Sequence, residues 1–182
     1  MNKKILLIIA VVASTTLSAH AQNLVVNPGF ETGDLTGWPG GDHSGVFVSS
    51  GNPHSGNFNC YLGAVGTDGT LSQDITTVVG QAYQVDFWLY SPGGTPNDFS
   101  ASFAGVTFFS ATNAGPFPYT DEVSGNIVAT STTSTLLFSA RQDPSYWNLD
   151  DVTVVAVPEP GTLGLIALGG LGLVAALRKR LA

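Results

Sequence analysis

Between residues 22 and 157 short strand-like runs recur, some with apolar side chains at every second residue, and no stretch carries the spacing of an amphipathic helix. The clearest run is 81–90, where Tyr83, Val85, Phe87 and Leu89 alternate with Gln84, Asp86, Trp88 and Tyr90. Further strand-like runs cover 24–26, 45–49, 57–62, 71–75, 99–103, 106–109, 127–130, 135–140 and 149–155, separated by Gly, Pro, Asn and Ser clusters. Short strands with turn signals over about 130 residues predict an all-β domain, a two-sheet antiparallel jelly-roll sandwich, over 22–156. In 57–62, Phe58, Cys60 and Leu62 share one face, which makes Cys60, the one cysteine, a small buried residue and excludes an internal disulfide framework.

Charge is arranged by position. Five of the six Lys and Arg lie at the chain ends, and residues 22–157 hold twelve acids against Arg141 alone, a net −11. A domain this acidic repels a phosphate backbone, so nucleic acid is excluded as a partner. The ends read as addresses. Lys3 and Lys4, the apolar run 5–13 and Ala19-His20-Ala21 form the pattern of a signal peptide over 1–21, cut by signal peptidase after Ala21. Residues 161–177 are uncharged and apolar, about 26 Å as a helix, the short limit for a membrane span. The basic tail 178–182, with Arg178, Lys179 and Arg180, keeps that end cytoplasmic and the domain outside the inner membrane.

Immediately before this segment stand Pro158, Glu159 and Pro160, within 157–160. Triplet, short apolar helix and basic cluster together resemble the PEP-CTERM sorting signal of Gram-negative bacteria. The resemblance implies recognition by an exosortase, a membrane protease that removes the tail and passes the protein to the cell surface or an exopolysaccharide matrix. The prolines stop the helix from extending outward and leave an extended, accessible segment. The domain carries a second resemblance. Residues 23–33 with Gly37-Trp38, then His54-Ser55-Gly56-Asn57, Leu71-Ser72-Gln73, 80–88 and the closing 149–154 are similar to jelly-roll domains of the galactose-binding-like and carbohydrate-binding-module type. Trp38 is then a core residue.

Two sites are expected. Alternation from Val152 and Val154 places Asp150 on their inward side, where a carboxylate needs a partner. With one base in the domain, a structural calcium held by Asp150 and by Glu31, beside it if first and last strands are neighbours, is the first reading. The resembled modules bind calcium through an acid after the opening Phe and one in the closing strand, which here are Glu31 and Asp150. Asp151 is the second choice, and the alternative is that Asp150 caps backbone amides or pairs with Arg141. The other site is a sugar platform, because aromatic rings pack on sugar faces. Trp88 and Tyr90, opposite the Tyr83/Phe87 face, and Tyr146 and Trp147, near a turn, are its candidates; Tyr119 also sits near a turn. His43 and His54 lie in loops without metal-ligand spacing. No nucleophile elbow, zinc-protease, phosphate-loop or dinucleotide motif occurs, so the expected role is non-catalytic binding or structuring of extracellular polysaccharide. The rivals are a structural envelope or biofilm protein without a glycan ligand, and a small glycan-active hydrolase.

Overall fold

The computed structural model describes residues 22–143 and 145–158. The signal peptide, Glu159, Pro160, the apolar segment 161–177 and the cluster Arg178, Lys179 and Arg180 lie outside the described residues. Among those described, no helix is long and apolar enough to cross a membrane.

Ten strands form two antiparallel sheets, in chain order β1 (Val46–Ser49), β2 (Asn59–Leu62), β3 (Gly69–Thr76), β4 (Ala82–Ser91), β5 (Asn97–Phe103), β6 (Val106–Thr112), β7 (Phe117–Val123), β8 (Ile127–Val128), β9 (Thr133–Gln142) and β10 (Trp147–Ala156). One sheet runs β1-β2-β10-β4-β7, with β8 also pairing β4; the other runs β3-β9-β5-β6. The alternation in 81–90 is realised in β4: Tyr83, Val85, Phe87 and Leu89 are buried, and the residues between them are half-exposed. Facing them across the sandwich are Phe99, Ala101 and Phe103 of β5 and Leu136, Phe138 and Ala140 of β9. Phe87 is the hinge of this packing, with ring centroids 5.2 Å from Phe138, 5.8 Å from Phe109 and 5.9 Å from Phe99.

β7 escapes the strand pattern. It is an edge strand in which only Phe117 and Tyr119 alternate before Thr120, Asp121 and Glu122 break the period, and Pro118, Asp121 and Glu122 protect its open edge. The expected first strand, 24–26, forms no ladder. It lies beside β10, where Leu24 N donates to Val154 O (2.9 Å) and Val152 N donates to Pro28 O (2.9 Å). The domain's opening segment and its closing strand are neighbours as expected. Ladder pairing stops because Pro28 has no N–H and Asn27 and Phe30 adopt positive φ. The buried Gln73 amide takes over instead, accepting from Val26 N (2.8 Å) and donating to Val26 O (3.0 Å) and Gly37 O (2.6 Å).

Trp38 is fully buried, stacked on Phe30 at 5.5 Å, and its Nε1 donates to Asn27 O (3.1 Å). It seals the N-terminal loop onto the sandwich. Trp38→Ala removes that seal and leaves a cavity, so urea unfolding is expected to show a loss of about 3–5 kcal/mol. A loss within the range of a surface substitution would mean that the loop is not part of the cooperative unit.

Candidate functional site

The site is the outer face of the larger sheet. Pairing registers align Phe47 (β1) with Tyr61 (β2), Tyr61 with Asn148 (β10), and Asn148 with Tyr90 (β4). These four side chains lie on the outer face in one row across four strands, about 14 Å at the usual strand spacing, with Asn148 itself buried. Phe47 and Tyr61 stack at 5.3 Å with an interplanar angle of 6°, and Tyr146 sets its edge against both, at 5.1 and 5.7 Å. Phe47 is 42% and Tyr146 38% exposed, so this end is open to solvent. Gly63 makes room for the Tyr146 ring: a Cβ there would collide with it. At the other end Tyr90 packs against Tyr119 at 5.7 Å.

The second row behaves differently. Ser49 pairs with Asn59, and Asp150 pairs with Trp88, which pairs with Asp121. Over this row folds the β1–β2 loop. His54 lies flat on Trp88, ring centroids 3.8 Å apart and 12° from parallel. Three acids hold the loop down. Asp150 Oδ2 accepts from His54 N (2.8 Å) and Ser55 N (3.2 Å), and its Oδ1 accepts from Asp151 N (2.8 Å). Asp151 pairs with His54 Nδ1 (2.7 Å) and accepts from Ser55 Oγ (2.7 Å). Glu31 accepts from Asn57 N (2.9 Å) and Phe58 N (3.0 Å). Tyr119 Oη donates to Asn52 O (2.7 Å) and fixes the loop tip.

Burial, reinforced by the charge of Asp151, raises the Asp150 carboxyl to about 6 even though backbone N–H groups oppose the shift. Glu31 is exposed, and the amides of Phe58 and Asn57 hold it below its ordinary value. Burial and the Asp150 charge push the Cys60 thiol up, so the buried cysteine is inert, as expected. Arg141, the only Lys or Arg among the described residues, is held on the opposite sheet by Asp143 (2.7 Å), whose carboxyl falls to about 2. It does not pair with Asp150, and the aromatic face carries no Lys or Arg.

Two placements differ from the sequence reading. Trp147 is not on a platform. It is fully buried, its ring 5.5 Å from Phe99 and 6.0 Å from Phe117, with Nε1 donating to Arg141 O (3.1 Å). It lies in register with Leu62 and points inward like Leu149. Asp150 is buried, but not on the side of Val152 and Val154. The β4 partners step from Trp88 to Asp86 while β10 steps from Asp150 to Thr153. That extra residue is a bulge, and Asp151 within it has φ 47°. The bulge reverses the parity, so Asp150 shares the outer face with Trp88 and is buried there by the loop. Trp88 and Tyr90 face outward as expected, but one face of the Trp88 indole is occupied by His54. Phe47, Tyr61 and Asn148 were not anticipated. For Tyr61 the signal was present, since it alternates with Cys60 and Leu62; Phe47 sits in an unbroken apolar triplet that hides its face.

Residues 22–141 match the family described as carbohydrate binding domain. Residues 156–180 match the PEP-CTERM protein-sorting motif. Endo-1,4-beta-xylanase A of Thermoanaerobacterium saccharolyticum is 33% identical over 91 residues, 48% of this chain and 8% of that enzyme, so the chain spans under a tenth of its curated relative. Among solved structures, TmCBM61 in complex with beta-1,4-galactotriose is 22% identical with a TM-score of 0.59, covering 75% of this chain and all of that one. The CBM22-1 xylan-binding domain of Paenibacillus barcinonensis Xyn10C is 16% identical with a TM-score of 0.55, covering 76% and 97%. These two likenesses carry the jelly-roll fold.

Proposed function

The chain belongs to the carbohydrate binding domain family and carries a PEP-CTERM sorting motif, and from that premise we propose a surface-sorted protein that binds polysaccharide without catalysis. The observation that carries the reading is the single row Phe47, Tyr61, Asn148 and Tyr90. Aromatic faces pack against the C–H faces of sugar rings, and the tyrosine hydroxyls bond sugar hydroxyls, while Asn148 lies buried in the row between Tyr61 and Tyr90. The row crosses open sheet, so it suits the interior of a chain rather than its end. With Asp121 exposed beside Trp88 and no Lys or Arg on the face, a glycan without acidic groups is the better fit.

The two address segments give the route: signal peptidase releases 1–21, residues 161–177 hold the protein in the inner membrane, and an exosortase acts at Pro158-Glu159-Pro160 and delivers it to an exopolysaccharide matrix. A structural calcium completes the proposal. The donors suit a hard cation: they are oxygens, and of the bases nearby only His54 holds one of them, through Asp151. A Cβ on Gly29 would lie 3.3 Å from Asp151 Oδ1, 3.5 Å from Asp150 Oδ1 and 3.7 Å from Glu31 Cγ, so the three acids converge on one glycine. Glu31 and Asp150 would hold the ion together with backbone carbonyls; among the described residues no three acid, His or Cys side chains form a metal-holding group, and the oxygens of both acids accept backbone N–H bonds. Bound there, calcium supplies positive charge that neutralises a buried carboxylate and braces the loop.

The test is binding of the tail-processed protein to a broad panel of polysaccharides, with calcium and with chelator. Retention by one neutral polysaccharide class supports the reading. Silence across the panel from a folded domain favours a structural envelope protein. Hydrolysis of a soluble glycan, abolished by one Asp→Asn change, replaces it with an enzyme.

A further inference from the structure

The two ends of the sandwich differ in charge. At one end meet the β3–β4 connection 77–81, the β5–β6 tip 104–105, the connections 124–132 and the end of β10. Hydrogen bonds tie them together: Thr77 N to Thr132 O (2.9 Å), Gly80 N to Ala129 O (2.8 Å) and Ala104 N to Thr135 O (3.2 Å). Residues 22–158 contain thirteen charged side chains, and none falls in 76–81, 104–107, 124–135 or 155–158. Four valines project from this pole, Val78, Val79, Val106 and Val128, between 49 and 66% exposed. In a domain of net −11 that is a charge-poor, apolar-tipped cap, with the Asp74 carboxylate at its margin accepting from Thr135 Oγ1 (2.6 Å).

The chain leaves the fold at the same pole. Val157 N donates to Ala82 O (2.9 Å), and Gln81 Nε2 donates to Val157 O (2.6 Å). The exit is thus pinned to the residues that follow Val78 and Val79. From Val157 to Gly161, where the apolar segment begins, there are four Cα steps, at most about 14 Å. The headgroup layer on each side of a bilayer is about 5–7 Å thick. A domain tethered this closely has its exit pole against the headgroups, where exposed valines reach the headgroup–acyl boundary.

We propose that this pole is a membrane-docking surface, seated on the lipid bilayer while residues 161–177 are embedded; the proposal rests on reading those residues as a membrane span. Four valines are too few to hold a free domain on a membrane. The tether supplies the effective concentration, so docking ends when the tail is cut. Docking also sets orientation. Strands run from pole to pole, so the aromatic row, which crosses them, lies parallel to the membrane and accepts a glycan stretched along the surface.

The full chain is placed in vesicles of phosphatidylethanolamine and phosphatidylglycerol with brominated acyl chains. A fluorophore is attached through Val79→Cys, Val128→Cys or, on the remote pole, Val65→Cys. Carbonate washing reports anchoring independently. In anchored chains, lipid quenching at 79 and 128 is expected to exceed that at 65 by about threefold. Equal, weak quenching at all three positions in anchored chains overturns docking while leaving the span intact. Release by carbonate overturns the span and docking with it. Energy transfer between labelled copies without lipid quenching assigns the pole to a second copy instead. Val79→Asp with Val128→Asp, both exposed, is expected to leave the melting temperature unchanged and to reduce quenching at a Val106→Cys label to the level at 65.

Discussion

Alanine at both Tyr61 and Tyr90 is expected to abolish polysaccharide retention without unfolding the domain. Both rings lie on the outer face, outside the core, so the melting temperature should change little. Each ring is a rigid, amphipathic anchor, and truncating such an anchor costs about 2 kcal/mol or more. Two together correspond to a loss of about a thousandfold in affinity. Affinity electrophoresis in gels containing the polysaccharide measures this directly. Trp88→Ala is expected to have a smaller effect, because His54 already occupies one face of the indole at 3.8 Å. If Trp88→Ala instead abolishes binding while Tyr90→Ala is silent, the ligand displaces His54 and the site lies under the loop, not along the open row.

That contrast marks where the sequence could be read and where it could not. Period-two alternation identified β4, the β5–β6 hairpin, β9 and β10, because each has one face in the core. It missed β7, where only Phe117 and Tyr119 alternate before Thr120, Asp121 and Glu122 break the pattern. Parity counting along β10 worked backwards from Val154 only to Asp151. A non-glycine residue in the left-handed region carries no sequence signal for a bulge, so Asp150 was assigned the wrong face, and Trp147 was read as a turn residue because β10 begins two residues before the expected strand. Burial of Asp150 was still anticipated, since an acid in the closing strand must be covered by something. Its cover is a loop almost a hundred residues away, and the stacking of His54 on Trp88 spans a similarly non-local contact. Local pattern reports neither.

Asp150 gives the remaining large effect, and its sign depends on calcium. Its carboxyl sits at about 6 in the folded chain, against about 3.9 when unfolded. Between these values the folded state holds a proton that the unfolded state has lost. The Asp150 contribution to the stability of the calcium-free protein is therefore fully present below about pH 4 and is lost as pH rises through 6, about 3 kcal/mol or about 10 °C in melting temperature. Asp143, Asp34 and Asp42 are shifted downward, by Arg141 for the first and by backbone N–H groups for the others, and act in the opposite sense, losing stability as pH falls. The difference between wild type and Asp150→Asn isolates the one group. Calcium reverses the slope, because the ion needs the ionised carboxylate. At a hundredfold excess over its Kd it contributes about 2.7 kcal/mol, expected in full above about pH 6 and absent near pH 4. In chelator at pH 7, Asp150→Asn should melt at or above the wild type, because the amide is not a desolvated charge. In calcium it should melt below. A calcium-induced rise that survives both Asp150→Asn and Glu31→Gln places the ion elsewhere. A wild-type curve in chelator that tracks Asp150→Asn from pH 4 to 7 would mean that water reaches Asp150 and that the loop held by His54 is open in solution.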